Sequence, residues 1–584
     1  MCKRLMAAAI FAVLILSNIA FFGSKNVGAQ GNTVIKLSTH PDNIDRHDYI
    51  PQIAVDDTGN SYVVWRGHDG HDFEIYWVKV DSTGTPGTVQ MISTHPDNVN
   101  PFDWYPQIDV DSAGNSYVVW EGMDIDNEIY WVKIDSAGTP GTVQKISTHP
   151  DNINNGDYRP QIKVDDIGNS YVVWYGGSSS RGGDIYWVKV DNTGTPGIVQ
   201  KISNNISNWH YCKDPQIAID NAGNSYVAWW GGKYDEYDIY WAKVDDTGTP
   251  GTAHKISTHP DNLLDMDLYP QIAVDNSGNS YVVWHGSHGY DLNVYWVKVD
   301  NTGTPGTALK ASTNPRSCDP HIAVDSFGNS YVVWHVIDWF NPVNNDIFWV
   351  RIDNTGTPGT IQMVSNHPDN TTNDDYAAQI AIDNAGNSHI VWHCWDGNDN
   401  EIYWTYVDST GTPGTAQKIS THLDNINEDE YFPHIGLDTT GNSYVVFRGI
   451  DRNPSGYDYD VYFTKIETPI QRDSDGDGIP DELDECPFEN PQGLDADTNG
   501  CIDNLNDFPG VIQDINLRPG IENSLISKTE NALKSFQKGN VQAAINQLEA
   551  FINQVEALKG KKISEEDADL LIQYALNIIQ QLQQ

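Results

Sequence analysis

Gly114-Asn115-Ser116-Tyr117-Val118-Val119-Trp120 is one of eight near-identical stretches, the others beginning at Gly59, Gly168, Gly223, Gly278, Gly328, Gly386 and Gly441. The copies recur every 50–58 residues, so the chain is read as a repeat array. Working outward from Trp120, one unit resolves into four short strands. Strand A is Pro106–Asp111, and a Ser112–Asn115 turn leads into strand B, Ser116–Trp120. A variable loop precedes strand C, Glu128–Ile134; Gly138-Thr139-Pro140-Gly141 then turns into strand D, Thr142–Ser147. Each strand is rich in β-branched and aromatic residues and bounded by Gly, Asp or Pro.

Four antiparallel strands per unit, repeated eight times, predict a mainly β fold, an eight-bladed β-propeller over residues 32–470. The ends predict closure. The eighth unit stops after strand C (Val461–Ile466) and lacks the Gly-Thr-Pro-Gly turn of the other seven. Thr33-Val34-Ile35-Lys36-Leu37-Ser38 matches strand D, so this first segment is expected to complete the last blade and cover its open edge. The repeat resembles the broad group of TolB-like and sialidase-type propellers. The sialidase Asp-box places Trp three residues after Gly; here Trp120 follows Gly114 by six, so the resemblance does not extend to sialidase activity.

Composition narrows function. There are 34 Lys plus Arg against 80 Asp plus Glu, a formal charge of −46, which argues against nucleic-acid binding and against an anionic membrane surface. Aromatic residues make up 11% of the chain, too many for an acidic disordered protein. Lys3 and Arg4, the apolar run Leu5–Phe22 and Val27-Gly28-Ala29 form a secretory signal over residues 1–29. No later stretch is long and apolar enough to span a bilayer, so the expected location is extracellular or cell-surface without membrane insertion.

Up-and-down strand order puts A–B and C–D turns on one rim, B–C and D–A loops on the other. The turns barely change between units, and their Asp and Asn are read as turn devices. His-Pro-Asp-Asn, at His40, His95, His149, His259 and His367, is read the same way. The loops vary, which is where binding resides on a rigid scaffold. Fourteen Trp occupy repeated positions in strands B and C and are assigned to packing. Trp104, Trp209, Trp230, Trp339 and Trp395 fall outside that pattern, in the expected B–C and D–A loops, and are candidates for a ligand platform. The residue after each strand-B aromatic forms a second set: Arg66, Glu121, Tyr175, Trp230, His285, His335, His393 and Arg448. In a ring these eight encircle one mouth. Three His can hold zinc, but no Cys or carboxylate ligand is fixed by spacing, so a varied polar rim is preferred.

Asp473-Ser474-Asp475-Gly476-Asp477-Gly478-Ile479-Pro480-Asp481-Glu482-Leu483-Asp484 is a calcium loop: alternating carboxylates around Gly478 supply the oxygens a hard cation needs. Asp473, Asp475, Asp477, the Ile479 carbonyl, Asp481 and Asp484 are the expected ligands. A degenerate copy offers Asp495, Asp497, Asn499, the Cys501 carbonyl and Asp503, with Asn506 in the closing position. Residues 471–507 resemble a thrombospondin type 3 repeat, which implies a connector rigidified by Ca2+. In an oxidising compartment Cys486 and Cys501 are expected to pair. Cys212, Cys318 and Cys394 are read as loop residues, with Cys318–Cys394 the one plausible bridge between neighbouring blades.

Beyond Pro519 the period changes to that of helices. Helix one is expected from Ile521 to Gln537, helix two after an Asn540 cap up to Gly560, helix three after Ser564. Ala550–Leu558 resembles the FIMAH domain, over 517–584, which implies an accessory helical module. The whole reads as a non-catalytic calcium-binding adhesion platform for an extracellular protein or polysaccharide. The rival reading is a glycoside hydrolase or polysaccharide lyase using the same loops. Binding is preferred because no carboxylate pair or nucleophile elbow stands out from the repeated background.

Overall fold

In the computed structural model the repeats form eight four-stranded antiparallel sheets. It describes residues 33–40, 47–94, 102–123, 126–152, 155–177, 183–204, 211–233, 236–258, 266–288, 291–314, 316–337, 345–366, 374–422, 428–453, 456–467, 505, 508–514 and 517–582. The signal segment, the calcium loops with Cys486 and Cys501, and Trp209 and Trp339 lie outside these residues.

Blade 1 comprises strands A (Asp48–Val55), B (Ser61–His68), C (Phe73–Val80) and D (Gln90–Met91). Strand B is buried along almost its whole length because both its faces meet neighbouring blades. The next six blades repeat this plan, with A strands starting at Asp103, Asp157, Tyr211, Asp267, Ser317 and Asp375. Strand D is shorter than expected: in blade 2 only Gln144–Lys145 pair. The turn before it takes up the edge, with Gly141 N bonded to Lys133 O. Blade 8 comprises Glu430–Leu437, Ser443–Asn453 and Gly456–Ile466, completed by Val34–Lys36, with Val34 opposite Thr464 and Lys36 opposite Tyr462. The A strands touch one another in succession, and that of blade 1 touches that of blade 8, so the ring is closed.

A side-chain bond crosses seven of the eight seams. The strand-C Trp donates its Nε1–H to the first Ser of strand B in the next blade: Trp77 to Ser116, Trp131 to Ser170, Trp187 to Ser225, Trp241 to Ser280, Trp296 to Ser330, Trp349 to Ser388 and Trp404 to Ser443, at 3.0–3.3 Å. At the eighth seam the Phe463 side chain has no N–H to give, and the Ser61 hydroxyl is buried without a hydrogen-bond partner among the described residues. The N-terminal segment completes blade 8 beside this seam: Lys36 Nζ lies 2.6 Å from Asp460 Oδ2 and Ser38 Oγ donates to Asp460 Oδ1 at 2.7 Å within the blade, while Leu37 is buried in one cluster with Trp65 and Tyr76 of blade 1.

The turns follow the sequence reading. Asp56 Oδ1 accepts the N–H of Thr58 and Asn60, while Oδ2 accepts from Asn60 Nδ2 and the Tyr62 hydroxyl. Gly59 at φ +83° faces the Tyr444 hydroxyl of blade 8, where a side chain would collide. His149 packs against Tyr186 with tilted rings (4.9 Å between ring centroids), Pro150–Asn152 form a 3-10 turn, and Asn152 Nδ2 donates to Asp157 Oδ1 at 2.7 Å. That copy of His-Pro-Asp-Asn is thus structural.

The chain divides into two compact units at Ile466/Glu467. The second contains α1 (Phe508–Asp514), α2 (Pro519–Gln537), α3 (Val541–Leu558) and α4 (Glu565–Leu582). The Asn540 side chain caps α3 by accepting from Ala543 N, and Ser564 Oγ accepts from Asp567 N at the start of α4. Helix α1 was not foreseen, since Pro509-Gly510 disguises it. It sends Phe508 into the core against Phe551 and Tyr574, at 4.8 and 4.6 Å. The apolar stripes of the helices therefore face one another. Among the described residues no helix is long and apolar enough to cross a membrane.

Because the seam without a Trp–Ser bond relies on the N-terminal strand, Leu37→Ala is expected to destabilise the propeller by about 3 kcal/mol. Urea denaturation followed by Trp fluorescence checks this; Thr39→Ala, at an exposed neighbour, serves as the control and should shift stability by less than about 0.5 kcal/mol.

Candidate functional site: the loop-side mouth

Each A strand begins at the loop rim and carries a bulge, after its second residue in seven blades and after its third, Lys213, in blade 4. In blade 1 Tyr49 faces Arg66, but Gln52 faces Val64, so two residues oppose one. The first bulged residue has a left-handed backbone in every blade: Ile50, Tyr105, Arg159, Asp214, Tyr269, Asp319, Ala377 and Phe432, with φ between 46° and 55°. None is Gly, and seven precede Pro, where the right-handed helical region is disfavoured. Left-handed backbone costs a non-Gly residue roughly 1–2 kcal/mol, yet it is imposed eight times. Bulges at barrel rims re-aim side chains. Tyr269 and Phe432 are about half exposed, and Asp319 presents its carboxylate to solvent. The side chains at this position are mixed around the ring: apolar, aromatic, cationic and anionic.

The eight residues after the strand-B aromatic do encircle the mouth, but as seam residues wedged between blades and not as an open rim. Arg66 is buried, its guanidinium 4.7, 4.3 and 4.1 Å from the rings of Tyr49, Phe73 and Trp104. Glu121 accepts from Asn127 Nδ2 at 2.6 Å and from the backbone N–H of Arg159 at 3.3 Å; burial pushes its carboxyl up to about 7. Tyr175 stacks on Tyr158 at 5.3 Å. Arg448 sits 4.6 Å from the Tyr459 ring, 5.1 Å from Tyr431 and Phe432, and 5.6 Å from Tyr49 of blade 1. Neither Arg66 Nε nor Arg448 Nε has a hydrogen-bond partner among the described residues.

The three His do not converge. His393 is boxed by Tyr376, Tyr431 and Phe432, where burial lowers its pKa to about 4. His335 contacts Cys318, with Sγ 3.1 Å from Nε2, and His285 Nδ1 lies 3.6 Å from Asp319 Oδ1. Cys318 and Asp319 were missed as partners because spacing alone does not show which way a bulge turns them. The Cys318–Cys394 bridge is not formed. Cys212, Cys318 and Cys394 are not in disulfides; they are buried and in strands (Tyr211–Ile219, Ser317–Val324, Ser388–Trp395), since each substitutes for a strand position of the repeat.

The Trp assigned to loops need the same correction. Trp104 lies within the strand Asp103–Val110 as a wall of the Arg66 cage. Trp230 lies in Ser225–Lys233, donates Nε1–H to Asp214 Oδ2 at 2.8 Å and meets Tyr237 edge-on at 4.9 Å. Trp395 ends its strand and is exposed on the loop rim, as are Phe102 and Tyr457.

Beneath the mouth, buried carboxyls face one another across seams. Asp157, against Trp174 Nε1 at 2.7 Å and near Glu128, is pushed up to about 9, chiefly by burial. Glu74, near Asp72 and Asp69, is raised to about 7, again chiefly by burial. In blades 2, 3, 4, 7 and 8 a strand-D Lys meets the strand-C acid: Lys145–Glu128, Lys201–Asp184, Lys255–Asp238, Lys418–Glu401 and Lys36–Asp460. Met91 stands at that place in blade 1. The trios Asp69, Asp72, Glu74 and Asp396, Asp399, Glu401 each bring three carboxylates together.

Fold and mouth thus define a closed eight-bladed β-propeller protein with a variable funnel. Its C-terminal unit is more specific: residues 513–580 match the FIMAH domain family. No curated protein matches the sequence. Among solved structures, puromycin hydrolase is similar at 11% identity and TM-score 0.42, over 69% of this chain and 59% of its own, so this chain spans less than two thirds of that protein. Polysaccharide lyase Uly1 is similar at 7% identity and TM-score 0.40, over 65% of this chain and 91% of its own. The GH43 endo-arabinanase from Bacillus licheniformis is similar at 18% identity and TM-score 0.27, over 46% of this chain and 99% of its own. At these scores none of them says what this chain does.

The buried acids set a pH dependence. Glu74, Glu121 and Asp157 keep protons in the folded state that the unfolded chain has released above pH ~4. Stability should therefore fall as pH rises through 7 and on to 9. Melting temperatures taken from pH 5 to 9 should show this decline, and Asp157→Asn, which keeps the acceptor for Trp174, should flatten its upper part.

Proposed function

We propose that the protein is an exported, calcium-binding, non-catalytic platform whose loop-side mouth holds an extracellular protein or polysaccharide. The observation that carries this reading is the ring of eight left-handed residues of mixed chemistry, apolar, aromatic, cationic and anionic, on a repeated scaffold. Local strain kept at one place points to use there, because packing alone gains nothing from it. Support comes from the exposed aromatics on the same rim, Phe102, Tyr269, Trp395, Phe432 and Tyr457, which suit stacking on sugar rings or anchoring a partner. Arg159 lies 3.8 Å from the Tyr105 ring, and Arg66 and Arg448 add cationic character to the mouth of an acidic chain. Export rests on the signal-like residues 1–29, and calcium on Asp473–Asp484 with its second copy.

A glycan and protein array probed with the full chain, in calcium and again in chelator, tests the proposal. A ligand found there should lose at least tenfold in affinity with Tyr269→Ala plus Phe432→Ala, while Phe327→Ala on the opposite rim changes nothing. Undiminished binding by the double variant refutes the mouth as the site. Turnover of a bound polysaccharide would move the protein to the carbohydrate-active enzymes.

A further inference from the structure

Blade 6 departs from the repeat most sharply in chemistry at the start of strand A. Where blades 1, 2 and 3 begin strand A with Asp, an aromatic residue, a variable residue, Pro and Gln, blade 6 reads Ser317-Cys318-Asp319-Pro320-His321. The aromatic has become a thiol, the variable position a carboxylate and the Gln an imidazole. Trp120, Trp174, Trp284 and Trp392 give their Nε1–H to the Asp that starts strand A; Trp334 Nε1, with Ser317 at that place, is buried with no hydrogen-bond partner among the described residues, as are Trp65 and Trp229 Nε1.

The bulge then gathers these residues at the mouth. Cys318 pairs across the ladder with His335, and its Sγ lies 3.1 Å from His335 Nε2. His335 Nε2 is 3.8 Å from Asp319 Oδ2, and ligand atoms of all three residues fall within 4.8 Å of one another. Two ligands on one tetrahedral ion, at bonds of roughly 2.0–2.3 Å, stand roughly 3.3–3.6 Å apart. The observed separations, 3.1 and 3.8 Å, bracket that value and need only small side-chain rotations. Cys318 and His335 are more than nine-tenths buried, which fixes their geometry, while Asp319 stays open to solvent and gives an ion its way in. The backbone N–H of Asp319 donates to His285 Nδ1 at 3.3 Å, so the neighbouring blade braces the left-handed turn that carries the carboxylate.

We propose that Cys318, Asp319 and His335 form a transition-metal site for Zn2+ on the inner wall of the mouth, with the fourth position open. A thiolate, an imidazole and a carboxylate suit zinc and are poorly matched to calcium or magnesium, which take oxygen ligands. Binding replaces the S–H bond of Cys318 by an S–Zn bond, the proton leaves to solvent, and no electron is transferred. His321, one turn of the strand deeper, and His393, in its aromatic box, are not ligands. The site stands whether or not the mouth holds a glycan or a protein.

Cobalt(II) titration of the full chain, stripped of metal and kept reduced, tests this. One equivalent of Co2+ should produce a thiolate-to-metal charge-transfer band together with the intense visible bands of a tetrahedral site, and Zn2+ should displace both. Cys318→Ser should abolish the charge-transfer band, Asp319→Asn should weaken Co2+ binding about tenfold, and Cys212→Ser and Cys394→Ser should leave the spectrum unchanged. Asp319→Asn alters an exposed side chain, so it reports even if Cys318→Ser does not fold. A spectrum without the charge-transfer band, or binding undiminished in Asp319→Asn, overturns the proposal and leaves a thiol–imidazole hydrogen bond. The same band in folded Cys318→Ser would assign the metal to other cysteines and overturn it equally.

Discussion

The bond from a strand-C Trp to the first Ser of the next blade is the joint on which this molecule depends. Each is buried at a seam, where no water can replace it, so each fixes the distance and tilt between two blades. The same Trp rings fill the seams with apolar area, so one residue type supplies both cohesion and register. Seven such joints set the curvature, and only a ring of eight blades then meets itself.

The last joint is of another kind. Phe463 packs where a Trp would donate, and Ser61 is left unpaired, so closure passes to a strand from the opposite end of the chain. This has a physical advantage: the ring is sealed by main-chain pairing and by ion pairs of Lys36 with Asp460 and Asp451. It also ties blade 8 to residues more than 400 positions away in sequence. Arg448 and Arg66 flank this same seam and share the Tyr49 ring, so the most cationic part of the mouth lies over the most distinctive part of the scaffold.

A rigid ring can carry strain that a loop could not. The left-handed residue of each A strand is held by ladder bonds on both sides, and the strand beyond it resumes its pairing at Gln52 and its equivalents. Burial at the seams makes carboxyls such as Asp157 keep their protons, against the opposing pull of the Trp174 Nε1–H donor. Variation is thereby confined to the mouth, and the turn rim remains a network of Asp, Thr and Asn bonds that closes on itself.

Periodicity determined the blade count, the closure by Val34–Lys36 and the burial of the repeated Trp, because those features depend on patterns that survive without knowing any angle. Helical spacing likewise located α2, α3 and α4, with the caps of α3 and α4, while α1 escaped because Pro and Gly at its start resemble a loop. The sequence also named the seam residues from Arg66 to Arg448. It did not say that they would be enclosed, nor that Trp104 and Trp230 belong to strands. Those outcomes, and the meeting of Cys318, Asp319 and His335, were decided by the bulge in strand A. A single extra residue there rotates every side chain before it, and its direction follows from three-dimensional pairing between strands that sequence spacing does not encode.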